Sequence, residues 1–369
     1  MRCGLKSQFT FLRSKNLEDK QIMAHDSDIC SAPVKVVVLL GGESSERNVS
    51  LVSGCQVADA LRKAGHDVVA VDSTKGVLSE SDERNIMAAG VQVSPPITDT
   101  RSTGHSQLAF LVKQEEFIRA DLVFPALHGG IGENGTLQAL LDINGIHYAG
   151  SGMLGCALSM DKDLTKRILR NADLPTPDWL VNPTADEVMD ILDVPVIAKP
   201  VDGGSSVRLS LLRDQAEVAT AVNEDSQAPS PMMYESYIEG REFTVGILGD
   251  EVLPVVEIVP KHELFDYECK YQAGMAEEIA PADIPEGLAN ILQNRALEVH
   301  RLLHLRDFSR VDFIVDKDGE SWCIEANALP GLTGNSLLPK AALANGINFS
   351  DLCDRVVFLA GQRIMTQGL

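Results

Sequence analysis

The sequence contains no apolar run near the roughly 20 residues that a bilayer-crossing helix needs, which excludes a transmembrane helix. It is poor in basic residues: 32 Lys and Arg stand against 53 Asp and Glu, a formal net charge of −21. A surface that negative repels nucleic-acid backbones and anionic lipid, so neither is expected as a partner. A local basic pocket still admits a small anion. The 7 cysteines are odd in number and scattered, without a CxxC pair. Reduced thiols in the cytoplasm explain that pattern better than a disulfide frame or a zinc site. Residues 1–33 lack the apolar stretch and cleavage pattern of a secretory signal, and Glu18 and Asp19 count against an organelle-targeting peptide. They are expected to form a disordered tail, or a mis-annotated one with Met23 as the true start.

What is present is the composition of a folded protein, 44% apolar and 23% charged, in 369 residues, too many for one core. Val34 to Leu40 (VKVVVLL) reads as a buried parallel strand, Ser50 to Lys63 as a helix stopped near Gly65, and His66 to Val71 as a second strand: a βαβ unit. Ser73 to Gln107 is polar and rich in Gly and Pro, and is expected to be irregular. Asp121 to Leu127 is a further strand, followed by a helix from about Gly135. After a break at Ala149–Gly152 come a helix over Asp161–Ala172 and strands at Pro195–Pro200, Met232–Ile238, Glu242–Leu248 and Val252–Val259. Ser309–Val315 and Ser321–Asn327 flank Asp318-Gly319, a hairpin signal. The fold class is therefore α/β followed by α+β.

Four constellations carry chemistry. If Asp318 and Gly319 are the turn, Asp312 lies opposite Glu325 and Arg310 opposite Asn327, with Cys323 on the same side. Val311, Phe313, Val315, Trp322, Ile324 and Ala326 then form a core face. Two carboxylates and an amide oxygen are hard donors suited to Mg²⁺. The plain alternative is a solvated polar face neutralised by Arg310, and the metal is favoured. Lys199 runs into Gly203-Gly204-Ser205-Ser206, which suits a phosphate, although the glycine–serine string alone is an ordinary turn. Taken with Lys162 and the hairpin, a nucleotide becomes the better reading. The loop Gly41–Arg47 follows a strand end, where ligands of open sheets bind; helix capping by Ser44 and Ser45 explains it equally well. His128 begins HGGIGENG, and both a buried structural role and a substrate-side role fit it.

In order, GGESSERNVSLVSG, LHGGIGENGTLQ, SMDK, IAKP–GGSSV, MYESYIEGREFTV, FDYECKY, SRVDF and IEANALPGLTGNSL make the chain resemble the D-alanine–D-alanine ligases of the ATP-grasp superfamily. The resemblance runs from Val34 to the C-terminus. It implies an open parallel-sheet, biotin-carboxylase-like domain over residues 34–150. A two-part ATP-grasp fold would follow, central over 151–236 and catalytic over 237–369. It also implies ATP-driven joining of two D-alanines for peptidoglycan precursors, Mg²⁺ or Mn²⁺ as cofactor (two ions), a cytoplasmic location and a homodimer. In such ligases one substrate carboxylate attacks the γ-phosphate, and the second substrate's amine then attacks the resulting acyl phosphate. Anion meets anion in that first step, so the site must supply cations.

By position, the resemblance makes Lys162 and Lys199 phosphate lysines. Ser205 and Ser206 belong to the phosphate loop, Glu235 and Ile238 to the adenine-contacting stretch, and Glu242 binds ribose. Lys270 and Tyr271 lie on a closing loop, and Asp312, Glu325 and Asn327 hold metal. Glu46, grouped with Ser205 and Tyr271, holds the first ammonium; Arg310 and the Gly331 N–H stabilise the oxyanion, and Ser336 receives the second carboxylate. Four positions depart from the family pattern: Asn48, Arg208 where a glycine is usual, and Ala328 and Leu329 after the last metal ligand. Arg208 either crowds the phosphate loop or reaches phosphate. Two other readings stay open. One is a ligase with D-lactate or D-serine as acceptor, against which Tyr271 counts in the D-lactate case. The other is an ATP-binding relative without catalysis.

Overall fold

The computed structural model describes residues 33–91, 104–204, 208–228, 230–262, 264, 272 and 274–367. The first sheet is built by β1 (Lys35–Leu40), β2 (Asp67–Asp72), β3 (Gly76–Val77) and β4 (Leu122–Pro125), in the order β3-β2-β1-β4. β1 pairs in parallel with β2 and β4, and β3 runs antiparallel. The near-continuous apolar run of β1 follows from burial on both faces. Helix α1 (Arg47–Lys63) links β1 to β2 and lays Val52, Cys55, Ala58 and Leu61 on the sheet. Its Gly54 faces Leu40 so closely that an added Cβ would come within 2.7 Å of Leu40 Cδ2.

The stretch expected to be irregular holds a helix. α2 (Glu80–Ala89) starts at a capping box in which Ser79 and Asp82 each accept from the other's backbone N–H. α3 (Gly104–Leu111) and α4 (Glu115–Arg119) precede β4, and α5 (Thr136–Ile143) follows it, entered from Gly135 at φ +89°. Ser44 and Ser45 do not cap α1. Glu46 occupies the cap position, its side chain making no capping bond, and Ser44 Oγ accepts from the Glu46 N–H (3.1 Å) and donates to the His128 carbonyl.

α6 (Met153–Met160) and α7 (Lys162–Asn171, capped by Asp161) lead to the second sheet. It comprises β5 (Trp179–Val181), β6 (Val196–Pro200), β7 (Ser210–Leu212) and β8 (Met232–Ser236), all antiparallel in the order β5-β8-β6-β7. α8 (Ala185–Ile191) and α9 (Gln215–Asp225) cover it through a core of Val188, Val218, Met232 and Tyr234.

The third sheet contains β9 (Gly240–Leu248), β10 (Glu251–Val252), β11 (Val256–Pro260), β12 (Ala276–Ile279), β13 (Phe308–Asp316) and β14 (Ser321–Asn327). Its order is β12-β11-β9-β13-β14, with β10 on β9. The strand read as Val252–Val259 is split around Pro254, which has no N–H to give a ladder. α10 (Glu286–Leu302) covers one face. α11 (Leu337–Ala344) and α12 (Phe349–Gln367) return the chain to the first sheet, where Asp354 bonds His66 (2.9 Å) and Arg363 bonds the Tyr148 carbonyl (2.8 Å). Among the described residues no helix is long and apolar enough to cross a membrane.

Gly54→Ala should cost about 1–3 kcal/mol through overpacking against Leu40. The urea midpoint measures it; an unchanged midpoint would mean that α1 and β1 part without cost.

Candidate active site

The β13–β14 hairpin sets the site. Asp312 pairs with Glu325 and Arg310 with Asn327, as the spacing predicts, but by a different route. The turn uses three residues, Lys317 to Gly319, because the Asp316 N–H bonds the Glu320 carbonyl and Gly319 takes φ +85°. That shifts Phe313 opposite Cys323, and a bulge at Ile324 restores the register. Cys323 therefore turns into the core instead of sharing the acidic face, and burial pushes its thiol up to about 12. Ile324 leaves the expected core face and lines the cleft. Trp322, opposite Ile314, gives its indole N–H to Asp316.

The cleft runs between the second and third sheets and is open to solvent. Lys162, Lys199, Glu235, Ile238, Glu242, Asp312 and Glu325 all line it. Lys162 heads α7, donates to the Gly203 carbonyl (2.7 Å) and stands 4.0 Å from Glu325 Oε2. Ile197 on β6 lies opposite Glu235 on β8, so Lys199, two residues on, shares that face and bonds Glu235 Oε1. The other oxygen, Oε2, accepts from Lys166 (2.9 Å), which also bonds Thr176 Oγ1 (2.8 Å). Burial alone would raise the Glu235 pKa, but the two ammoniums outweigh it and hold it at about 2. Burial lowers that of Lys166.

Asp312 is a hub. It accepts both fork nitrogens of Arg310 (2.9 and 2.8 Å), Thr244 Oγ1 (2.6 Å) and Asn327 Nδ2 (3.1 Å). The donor set fits a hard divalent ion: two carboxylates opposed across the ladder, with an amide two residues beyond Glu325. Among the described residues no group of three His, Cys, Asp or Glu side chains forms a metal cluster.

Glu46, buried before α1, reaches this region from the first sheet's loops. A Cβ on Gly129 would stand 2.5 Å from Glu46 Oε2, and one on Gly204 would stand 3.1 Å from it. Two positions without side chains thus let the carboxylate approach the Gly203-Gly204 turn at the cleft. His128 is buried, with Nε2 2.9 Å from Ser53 Oγ and Nδ1 3.4 Å from Glu133 Oε1. Burial opposes its charged form, but the Glu133 bond and the charges of Glu133 and Glu46 prevail and raise its pKa. A Cβ on Gly331 would be 2.9 Å from Ser336 Oγ, which bonds Thr333 Oγ1 (2.8 Å). The same loop is tied to α1 by the Gly334 N–H on Gln56 Oε1 (2.8 Å).

Ser205, Ser206, Lys270 and Tyr271 lie outside the described residues. Arg208 adopts φ +63° and directs its guanidinium to Asp225 (2.8 Å), whose other oxygen accepts from the Tyr234 hydroxyl; it does not line the cleft. Sequence reasoning missed Lys166 and Thr244. Lys166 is one helical turn beyond Lys162, and Thr244 alternates with Glu242 on one face of β9, so periodicity held both signals.

A cation-lined cleft between two antiparallel sheets, facing a carboxylate hairpin, defines an ATP-grasp ligase, the fold shared by its structural neighbours. The D-ala D-ala ligase N-terminus family matches residues 35–151 and the D-ala D-ala ligase C-terminus family matches 168–358. The chain belongs to the D-alanine–D-alanine ligase family. It is 39% identical over 326 residues to the D-alanine–D-alanine ligase of Aquifex aeolicus, covering 88% of this chain and 100% of that one. The D-alanine–D-alanine ligase of Bacillus anthracis complexed with ATP superposes with a TM-score of 0.71 at 30% identity, over 92% of this chain and 100% of that one. The VanG D-Ala:D-Ser ligase of Enterococcus faecalis gives 0.73 at 26% identity, over 89% and 100%.

Because the Glu235 pKa is depressed in the folded state, its ion pairs contribute stability above the ordinary carboxylate range that is lost as pH falls through about 2. Chemical denaturation at pH 4.5 and below should show a steeper acid loss for wild type than for Glu235→Gln. Equal slopes would remove the assignment.

Proposed function

We propose that the protein joins two D-alanines into D-alanyl-D-alanine at the expense of ATP, through an acyl phosphate, to supply peptidoglycan precursors. The observation that carries this is the meeting, at one cleft, of Lys162 and Lys199 with Asp312 and Glu325, while Glu46 approaches the Gly203-Gly204 turn from the first sheet. Family membership supports the same activity. A cytoplasmic location, a homodimer and three domains over 34–150, 151–236 and 237–369 belong to the same proposal.

The residues divide the work. Ile238 and Glu242 receive the nucleoside end of ATP. Lys162, at the positive end of α7, and Lys199 draw in the triphosphate, so that a carboxylate can approach the γ-phosphate against less repulsion. Asp312, Glu325 and Asn327 would hold Mg²⁺ or Mn²⁺, two ions in the full proposal. Bound there, the metal neutralises phosphate charge and orients the oxygens. Glu46 holds the ammonium of the first D-alanine, and His128 borders that subsite. Arg310 and the Gly331 N–H stabilise the oxyanion formed as the second amine attacks. Ser336 receives the second carboxylate. Ser205, Ser206, Lys270 and Tyr271 join the phosphate loop and the closing loop by motif position. Enclosure matters because an acyl phosphate exposed to water hydrolyses.

D-serine as acceptor is the second reading, carried by the structural likeness to a D-Ala:D-Ser ligase; the higher identity to a D-alanine–D-alanine ligase favours the dipeptide. Phosphate release from ATP with Mg²⁺ should be stimulated by D-alanine and not by L-alanine, and adding D-serine or D-lactate should yield no mixed product. Asp312→Ala and Glu325→Ala should each lower turnover about 10²-fold or more with the fold retained. Near-normal Mg²⁺-dependent release by both variants would overturn the metal assignment.

A further inference from the structure

We propose that Lys166 is a positioning residue that sets the charge and direction of Lys199 by holding Glu235, and so tunes affinity for ATP; this rests on the nucleotide reading above. Lys166 does not line the cleft, and its side chain is 0% exposed. Its ammonium donates to Glu235 Oε2 and Thr176 Oγ1 and lies 5.2 Å from the centre of the Trp179 ring. Lys199, which does line the cleft, takes Glu235 Oε1. One carboxylate thus serves two ammoniums, one sealed beneath the sheet and one facing ligand.

Stability does not explain the arrangement. A buried ion pair is often matched or bettered by apolar residues of similar volume, and a second buried ammonium adds desolvation. Function does. Two ammoniums on one carboxylate leave a net positive charge where water is excluded, and the member of the set that lines the cleft is Lys199. Without Lys166, the full charge of Glu235 would fall on Lys199. That pair would be neutral, and the cleft would lose the excess charge that attracts a triphosphate. The carboxylate would also lose the anchor that fixes its plane, and with it the direction of Lys199. Lys166 acts through Glu235, because it does not line the cleft and meets Lys199 only by way of that shared carboxylate.

The test compares wild type, Lys166→Met, Glu235→Gln and the double variant. ATP binding is measured by calorimetry, KM for ATP and for D-alanine by phosphate release, and the fold by circular dichroism. Lys166→Met should weaken ATP binding about tenfold or more and raise the ATP KM in parallel, leaving the D-alanine KM within about twofold. The double variant should match Glu235→Gln within about twofold, since Lys166 then has nothing to act through. ATP binding by Lys166→Met equal to wild type, equal rises in both KM values, or a clear gap between the double variant and Glu235→Gln would each overturn the proposal. Should Lys166→Met not fold, the last comparison still decides, because the double variant removes the pair whole. Wild type that binds ATP but shows no D-alanine-stimulated phosphate release would sink the ligation reading and leave the calorimetric comparison standing. Wild type that does not bind ATP overturns both.

Discussion

Compensation of charge inside one cleft is the constraint on which the rest of the molecule depends. The chain carries a net −21, and the proposed nucleotide substrate is an anion, yet three acids of the cleft each face a cation. Asp312 has the Arg310 fork, Glu325 has Lys162 at 4.0 Å, and Glu235 has Lys199 and Lys166. The cations come chiefly from α7 and the second sheet, the paired carboxylates from the third. Cys156 on α6 and Leu169 on α7 pack into the third sheet's core beside Cys323 and Ala326, which brings Lys162 to the hairpin. Packing of apolar surface thereby fixes the spacing of charge.

The hairpin shows how function and register are joined. A three-residue turn alone would have displaced Asp312 from Glu325 by one position and sent one carboxylate to the opposite face. The bulge at Ile324 cancels that displacement on the ligand side only. The core end of the ribbon keeps the register set by the turn, which is why Cys323 is buried beneath the site. A bulge beside a cluster of functional side chains re-aims them without altering the rest of the sheet.

Much of the fold was legible because the signals were local. The apolar run of β1, the periodicity of α1 and the alternation in β13 and β14 each needed only neighbouring residues. The pairing of Asp312 with Glu325 was legible for a weaker reason, since two shifts cancel. Cys323 and Ile324 were misplaced because a bulge depends on tertiary pairing. Helix α2 was hidden by polar composition, although Ser79 to Asp82 spelled out its cap. Within the site, Lys199, Lys162 and Glu235 could be named from motifs. That Lys166 reaches the same carboxylate depends on how α7 lies against β8, which no window of sequence contains. Arg208 looked like an intrusion on the phosphate loop, but its partner Asp225, 17 residues on, draws it away.

The most direct measurement is a crystal structure with ATP and Mn²⁺, with the ion located by anomalous scattering. The expected result is manganese against the carboxylates of Asp312 and Glu325, with the triphosphate reaching Lys162 and Lys199. Manganese elsewhere, or a triphosphate bound away from both lysines, would contradict the central claim that this hairpin and these two cations form one catalytic centre.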